Sequence, residues 1–410
     1  MFIGKPGATA VGGLSVAVPG EIRGFEELHK RYGKLPWKRL FQPSIELARN
    51  GFLFTEDLLH IIRSKTVPKD VNSNSSDRDL AQSWILTHPV LREMYAKNGA
   101  FLPVGATLTR PKLAHALEII AEEGADIFYE GQLAKDLVEA VAAEGGVMTL
   151  NDLKNSVYVE LIFKLIDYKV QATKPLSVDY KGKFKITSSP APASGGVFLL
   201  ALNILSNYPD ISGPGTLMDS HRLIESLKFA YAHRTLLGDP SFISDLEAVQ
   251  NEFVKPATGK DLHSQILAHS TLPSEMYSPN RGNKRPLSSS SPFIIEDSEG
   301  RFRYAGGAAG GSRIISCNVQ QARNFMDYGM NPTQALTHHR LHDQIAPDET
   351  HLEMGLVDEE IAVNLKRMGH NVKWIPRAES VGCAISYDPD TGVYQAEGEP
   401  RLVGSGGQVV

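Results

Sequence analysis

Hydrophobic periodicity changes character along this chain, and that change most restricts what it can fold into. Through the first two-thirds, apolar residues recur at helical spacing. Glu21 to Tyr32 is expected to form a helix with Ile22, Phe25 and Leu28 on one face and Gly33 as its stop. Pro43 to Asn50 reads as a second helix, with Ile45, Leu47 and Ala48 turned inward. After Pro111, Leu113, Leu117 and Ile120 form a stripe that ends at Gly124, with Thr109 placed to cap it. Leu133, Leu137 and Val141 repeat the pattern up to Gly145-Gly146. A further helix is expected from a cap at Asp219 or Ser220 to Leu236, closed by Gly238-Asp239-Pro240. Strand-like segments are Lys183–Thr187, Pro292–Ile295, Phe302–Ala305, Val372–Ile375 and Ala384–Tyr387, most of them late. Helices first, then strands mixed with helices, predict an α+β or layered α/β fold.

The 410 residues are 42% hydrophobic and 22% charged, which excludes global disorder and leaves room for several compact units. There are 42 Lys+Arg against 47 Asp+Glu, so no bulk charge favours nucleic acid or anionic lipid. The longest apolar run, Gly195 to Leu205, is about half of the ~20 residues that a membrane span needs. The N-terminus has no basic segment leading into an apolar one, so the chain as written predicts a soluble cytosolic protein. Cys317 and Cys383 lie among apolar or small residues and read as buried free thiols, although a bond between them stays open. The sequon Asn74-Ser75-Ser76 matters only in a secreted protein. Residues 270–291, rich in Pro, Ser, Asn and Gly, divide the chain into 1–270 and 271–410.

Three features carry candidate chemistry. Gly306 to Ser312 (GGAAGGS) follows a strand-like segment. Its backbone amides could converge on an anion, or it could be a tight turn. The serines of Pro286 to Pro292 (PLSSSSP) could hydrogen-bond a carboxylate, or be solvated linker; no nucleophile elbow surrounds them. His338, His339 and His342 fall near one helical turn, but without a ligating carboxylate at metal spacing, and Arg340-Leu341-His342 reads better as the packed end of a helix. The apolar stretch Ser156–Asp167 reads as a buried strand, or as an aggregation hazard if it is not buried.

Several segments together resemble the gamma-glutamyltransferase (glutathione hydrolase) family, in family order. They are GGLSVAVPGEIRGFEELHKRYGKLPWKRLFQPSIELARNGF, LEIIAEEGADIFYEGQLAKDLVEAVAAEGGVMTLNDL, APASGGVFLLALNIL, HRLIESLKFAYAHRTLLGDPSF, KRPLSSSSP and GGAAGGSRI. EGEPR near the C-terminus is similar to fungal-type members. The resemblance implies an N-terminal-nucleophile hydrolase fold, an αββα four-layer sandwich. It implies self-cleavage into a large and a small subunit, and transfer of the gamma-glutamyl group of glutathione to amino acids, dipeptides or water through a threonine acyl-enzyme. No metal or organic cofactor is implied, and the family is extracellular, plasma-membrane or vacuolar. By the same resemblance Gly310 and Gly311 form the oxyanion hole, and Ser288 and Ser289 bind the substrate carboxylate. Residues 1–270 then correspond to the large subunit and 271–410 to the small one.

Three departures accompany it. The family's nucleophile block, expected between the Gly238-Asp239-Pro240 turn and Ser288, is missing. Thr258 and Thr271 are the only threonines there and lack the family's context, and Thr350-His351-Leu352 lies too late to be equivalent. The chain begins late relative to the family, without the segment holding an arginine that binds the substrate. Residues 156–167 interrupt a family-like join and read as translated intron. These departures predict an incomplete sandwich, a compromised sheet near 270–315, no catalytic residue, no self-cleavage and little or no activity. The alternatives are a non-catalytic gamma-glutamyl-binding or paralogue-pairing homologue, or a defective gene model.

Overall fold

The computed structural model describes residue 8 and residues 11–65, 85–86, 88–154, 170–210, 212–267 and 286–409. The chain forms two compact units, Met1–Ala172 and Thr173–Val410. The division at 270/271, the stretch 156–167, the sequon at Asn74 and Thr271 lie outside the described residues.

The first unit contains helices α1 (Glu21–Tyr32), α2 (Trp37–Asn50), α3 (Glu56–Lys65), α4 (Pro89–Tyr95), α5 (Pro111–Glu123), α6 (Asp126–Glu130), α7 (Gln132–Ala143) and α8 (Leu150–Leu153). Short strands β1 (Phe52–Leu53), β2 (Ala96–Lys97), β3 (Ala100–Phe101) and β4 (Thr107–Leu108) pair as β1 with β4 and β2 with β3. Helix α1 occupies the residues that its periodicity predicts, but its apolar face turns inward only in part: Ile22 packs against the cluster of Tyr129 and Val141, whereas Phe25 and Leu28 are exposed. In α2, Ile45 and Ala48 pack against Ala114 and Ala121 of α5, whereas Leu47 points outward. That helix begins at Trp37 and carries Pro43 inside it. Arg110, not Thr109, holds the cap position of α5. Pro111 then starts the helix, having no N–H for a cap to satisfy.

The second unit contains α9 (Gly195–Leu205), α10 (Leu217–Arg234), α11 (Leu246–Phe253), α12 (Pro256–Leu267), α13 (Arg313–Tyr328), α14 (Pro332–Thr337) and α15 (Glu359–Arg367). Its strands are β5 (Leu176–Tyr180), β6 (Phe184–Ser188), β7 (Phe293–Asp297), β8 (Phe302–Ala309), β9 (Leu341–His342), β10 (Thr350–Glu353), β11 (Val372–Ile375), β12 (Val381–Asp388) and β13 (Val393–Glu397). Strands β9, β10 and β11 form a small sheet, with α15 crossing between the parallel pair β10 and β11. The other six form one antiparallel sheet in the order β13-β12-β8-β7-β6-β5.

The apolar run Gly195 to Leu205 is helix α9, and every residue in it is buried. A helix apolar on all sides has no face for water and must sit at the centre of its unit. Its polar exception, Asn203, donates to the carbonyls of Phe253 (3.1 Å) and Lys255 (2.8 Å), groups left over where α11 ends. The cap of α10 is Thr216, whose hydroxyl accepts from the Asp219 amide, so the helix begins before the Asp219 or Ser220 expected from the sequence.

One face of the six-stranded sheet is packed. Val178, Ile186, Ile295 and Tyr304, paired in a row across four strands, join α9 and α13 in the main core. The opposite face carries the row Ser177, Thr187, Ile294, Ala305, Ile385 and Ala396. It lies open along a trough of about 820 Å³ that Thr173, Pro175, Cys383 and Gly407 also line. Over its described part, 286–315, the sheet is continuous, where the sequence predicts a compromised one. Strand β7 pairs directly with β6 and β8, so the sheet closes without added strands, and what stays uncovered is a face. The class is α+β.

Candidate functional site

Strands β7 and β8 are antiparallel, with Phe293 opposite Gly306. The serines before β7 and the glycines after β8 therefore lie toward the same end of the sheet. The strand β8 runs on through Ala309, so the turn is confined to Gly310, Gly311 and Ser312. Gly310 has φ 136° and Gly311 φ 62°. A Cβ on Gly310 would meet the Glu379 carbonyl oxygen at 2.8 Å and the Ser380 Cα at 2.9 Å, so only glycine lets β8 end against β12 here. Among the described residues neither glycine amide donates a hydrogen bond.

The serine segment is held from several sides and is not a free linker. The Ser288 amide donates to the Pro192 carbonyl (2.8 Å), and the Ser194 amide donates to the Ser290 carbonyl (2.9 Å). The buried Ser194 hydroxyl donates to the Ser288 carbonyl (2.6 Å). The Ser290 amide donates to Ser288 Oγ (3.0 Å). Asn318 Nδ2 on α13 donates to the Ser291 carbonyl (2.8 Å) and hydroxyl (3.0 Å). Gln321, one turn on, donates to Asn318 Oδ1 (2.7 Å) and to the Gly307 carbonyl (3.2 Å). This pair of buried amides ties the serine segment to β8.

Helix α10 makes a second tie. Tyr231 donates its hydroxyl to the Ser312 carbonyl at 2.5 Å, while Arg234, one turn later, reaches Ser194 Oγ (Nε, 3.1 Å) and Ser289 Oγ (Nη2, 3.2 Å). Burial holds the Tyr231 phenol well above its usual range and lowers the Arg234 pKa from its ordinary value. The Ser288–Ser291 segment and the stretch Gly307–Ser312 are thus both tied to one turn of α10 and one amide pair of α13. Sequence reasoning missed Tyr231, Arg234, Ser194, Asn318 and Gln321. Tyr231 and Arg234 are three apart within a single helical stretch, a spacing that does place them on one face.

The histidines are not on one helix. Helix α14 stops at Thr337, the His338 and His339 rings meet at a tilt with centroids 4.2 Å apart, and Leu341–His342 form β9 rather than a helix end. His342 Nδ1 pairs with Ser316 Oγ at 2.9 Å, and burial pushes its pKa down to about 3. A cluster not foreseen from the sequence is His221, Glu225 and His370, whose ligand atoms lie within 4.8 Å of one another. The Lys228 ammonium is 3.3 Å from both Glu225 Oε1 and His370 Nδ1, so a cation already serves these groups. Cys317 is buried, but Cys383 is exposed, which corrects the expectation of two buried thiols. Alternation along β12 turns Gly382 and Ala384 inward and Cys383 out.

The C-terminal EGEPR segment is clamped. Arg401 grips Glu353 through Nε and Nη2, both at 2.7 Å, and Glu399 at 3.0 Å; Arg340 meets Glu399 at 2.8 Å. The family model for gamma-glutamyltranspeptidase matches residues 1–283 and 276–409. The chain belongs to the gamma-glutamyltranspeptidase family. It is 32% identical to a glutathione hydrolase proenzyme of Arthroderma benhamiae, covering 100% of this chain and 78% of that one. It is 30% identical to a glutathione hydrolase of Aspergillus flavus, covering 98% and 76%. The first of these alignments runs over 484 positions against 410 residues here, so the relative has stretches opposite nothing in this chain. Among solved structures, a cephalosporin acylase from Bacillus halodurans superposes with TM-score 0.76 at 22% identity, over 94% of this chain and 77% of that one. The Helicobacter pylori gamma-glutamyltranspeptidase does so with TM-score 0.54 at 26% identity, over 68% and 71%. The fold is that of the N-terminal-nucleophile hydrolases. Among the described residues no helix of this gamma-glutamyltranspeptidase relative is long and apolar enough to cross a membrane.

Proposed function

We propose that this chain keeps the recognition of gamma-glutamyl compounds such as glutathione and performs little or no gamma-glutamyl transfer. The observation that carries the reading is the break in the family match. The two matched segments overlap at residues 276–283, shortly before Ser288, and leave no residue unmatched between them. Such a break is what a missing stretch would leave, which supports the reading, and the resemblance puts the nucleophilic threonine there. Acyl transfer needs that nucleophile and a base to activate it; positioning and oxyanion donors alone leave most of the rate unrealised.

The threonines weighed from the sequence do not replace it. Thr258 sits within α12. Thr350 is fully buried in β10 and donates its hydroxyl to Asp343 Oδ2 at 2.7 Å. What remains in place supports binding. The Ser288 and Ser289 hydroxyls would receive a carboxylate, and the Gly310 and Gly311 amides the gamma-carbonyl oxygen. The division into 1–270 and 271–410 would correspond to the family's two subunits, here without self-cleavage between them.

The test uses the purified full chain. Denaturing electrophoresis should show a single band at 44.8 kDa, a chromogenic gamma-glutamyl anilide should not turn over, and calorimetry should detect glutathione binding. Two fragments, or turnover lost on Thr271→Ala, would overturn the claim of inactivity. Absence of glutathione binding would overturn the claim of recognition.

A further inference from the structure

Helix α10 carries His221, Glu225 and Lys228 at spacings of four and three residues, so they share one face of the helix. His370 reaches that face from the turn between α15 and β11, where its amide donates to the Leu365 carbonyl (3.1 Å). His370 is buried, and the three groups on α10 are half-buried. His221 Nδ1 and His370 Nε2 lie 2.9 Å apart, and the Lys228 ammonium lies 3.3 Å from His370 Nδ1. An ammonium only donates, so His370 Nδ1 accepts. The proton of that ring is therefore on Nε2, which donates to His221 Nδ1. The two rings thus hold one proton between them. Glu225 Oε1 stands beside them, 3.8 Å from His370 Nδ1. One ligand atom from each of His221, Glu225 and His370 lies within 4.8 Å of the other two.

We propose that His221, Glu225 and His370 form a site for a divalent transition metal of the zinc type, with Lys228 as the resident cation that the ion displaces. Two imidazoles and a carboxylate are a set that zinc takes, leaving a fourth position for water, whereas magnesium and calcium prefer oxygen throughout. Two nitrogens on one tetrahedral ion lie about 3.4 Å apart when each bond is roughly 2.0–2.1 Å, so rings now at 2.9 Å need part by only about 0.5 Å. The ion takes the place of the proton between the rings. Metal–nitrogen bonds form at His221 Nδ1 and His370 Nε2, the Nε2–H bond breaks, and that proton passes to Nδ1 of the same ring. No net proton is gained or lost. Lys228 then faces an N–H in place of an acceptor and gives up Glu225 to the ion. It keeps Asp343, whose fully buried carboxylate is 3.9 Å away. A compact charge on a flexible four-carbon stem is suited to holding such a place and yielding it. Once bound, the ion clasps α10 to the turn after α15.

The test titrates Zn²⁺ into the full chain, stripped of metal by a chelator, in competition with a chromogenic zinc indicator. Wild-type protein should take up one tight equivalent of Zn²⁺ and no Mg²⁺ at the same concentrations. Its thermal midpoint should rise with Zn²⁺, because the ion binds only the folded chain at this site. His221→Gln and Glu225→Gln replace half-buried residues on α10 with a good helix former, so both variants should fold. Each should weaken Zn²⁺ by at least about tenfold, the least that losing even a ligand's supporting partner costs, and should abolish the rise in midpoint. Lys228→Met should bind Zn²⁺ about tenfold more tightly, since it removes a competing positive charge. If the cluster were only an internal ion-pair network, neither the wild type nor Lys228→Met would take up Zn²⁺, and that result would overturn the proposal. So would wild-type affinity in folded His221→Gln and Glu225→Gln, because the ion would then be bound elsewhere. Lys228→Met binding no more tightly than the wild type would overturn the displacement of Lys228.

Discussion

Gly310 and Gly311 are adjacent, yet they must be glycine for different reasons. At Gly311 the backbone is left-handed but a Cβ would enter open space, so Gly311→Ala should cost only about 1 kcal/mol. At Gly310 an unfavourable φ is joined by collision with backbone atoms of Glu379 and Ser380, so Gly310→Ala should cost about 3 kcal/mol or more. Urea unfolding midpoints of the two variants measure the difference, and equal losses would mean that β8 does not end against β12 as described. Both glycines, like Ser288 and Ser289, were legible because local composition and family order mark them. Arg234 and Tyr231 were not. Their partners Ser289 and Ser312 lie 55 and 81 positions away, and no local pattern announces a hydrogen bond across that distance. The pairing exists only once α10 has been laid beside the sheet.

Strands show what periodicity can and cannot supply. The segment Pro292–Ile295 was legible as a strand, and β7 runs Phe293–Asp297; Val372–Ile375 was legible to the residue. Strands β5 and β13 were not anticipated. Their alternation over Leu176–Tyr180 and Val393–Glu397 mixes polar and apolar side chains, and pairing along the sheet supplies what propensity does not. Which face is buried was harder still. Helix α1 was placed to the residue and α2 at its end but six residues late at its start, and both leave predicted inward residues, Phe25, Leu28 and Leu47, exposed, because an apolar stripe marks a surface without saying what covers it. Strand β7 offers a direct test. Ile295 is fully buried against the helices, whereas its neighbour Ile294 is 48% exposed on the open face. Ile295→Ala should therefore cost about 3 kcal/mol, and Ile294→Thr should stay within about 0.5 kcal/mol of wild type. Denaturant titration checks both. A large loss at Ile294 would show that the open face is covered in solution.

Across the whole molecule, family order made the α+β class and the two surviving motifs readable, while the effect of the missing block was not. Its loss was expected to open sheet edges and to expose core surface. Among the described residues β6, β7 and β8 satisfy one another's backbone groups directly, so no edge opens between them, while apolar surface is exposed on one face. Cys383 stands on that face, two residues along β12 from Ile385, and can report on it. Cys317 is enclosed in α13, where burial pushes its thiol up and away from the reactive thiolate. A disulfide-exchange reagent applied to the native chain should therefore titrate a single thiol quickly. The second should follow only in denaturant, and the fast one should vanish in Cys383→Ser. If neither thiol reacts until the protein unfolds, the face is not open in the full chain. If both react at once, the core around α13 is looser than the packing of α9 and β8 against it allows.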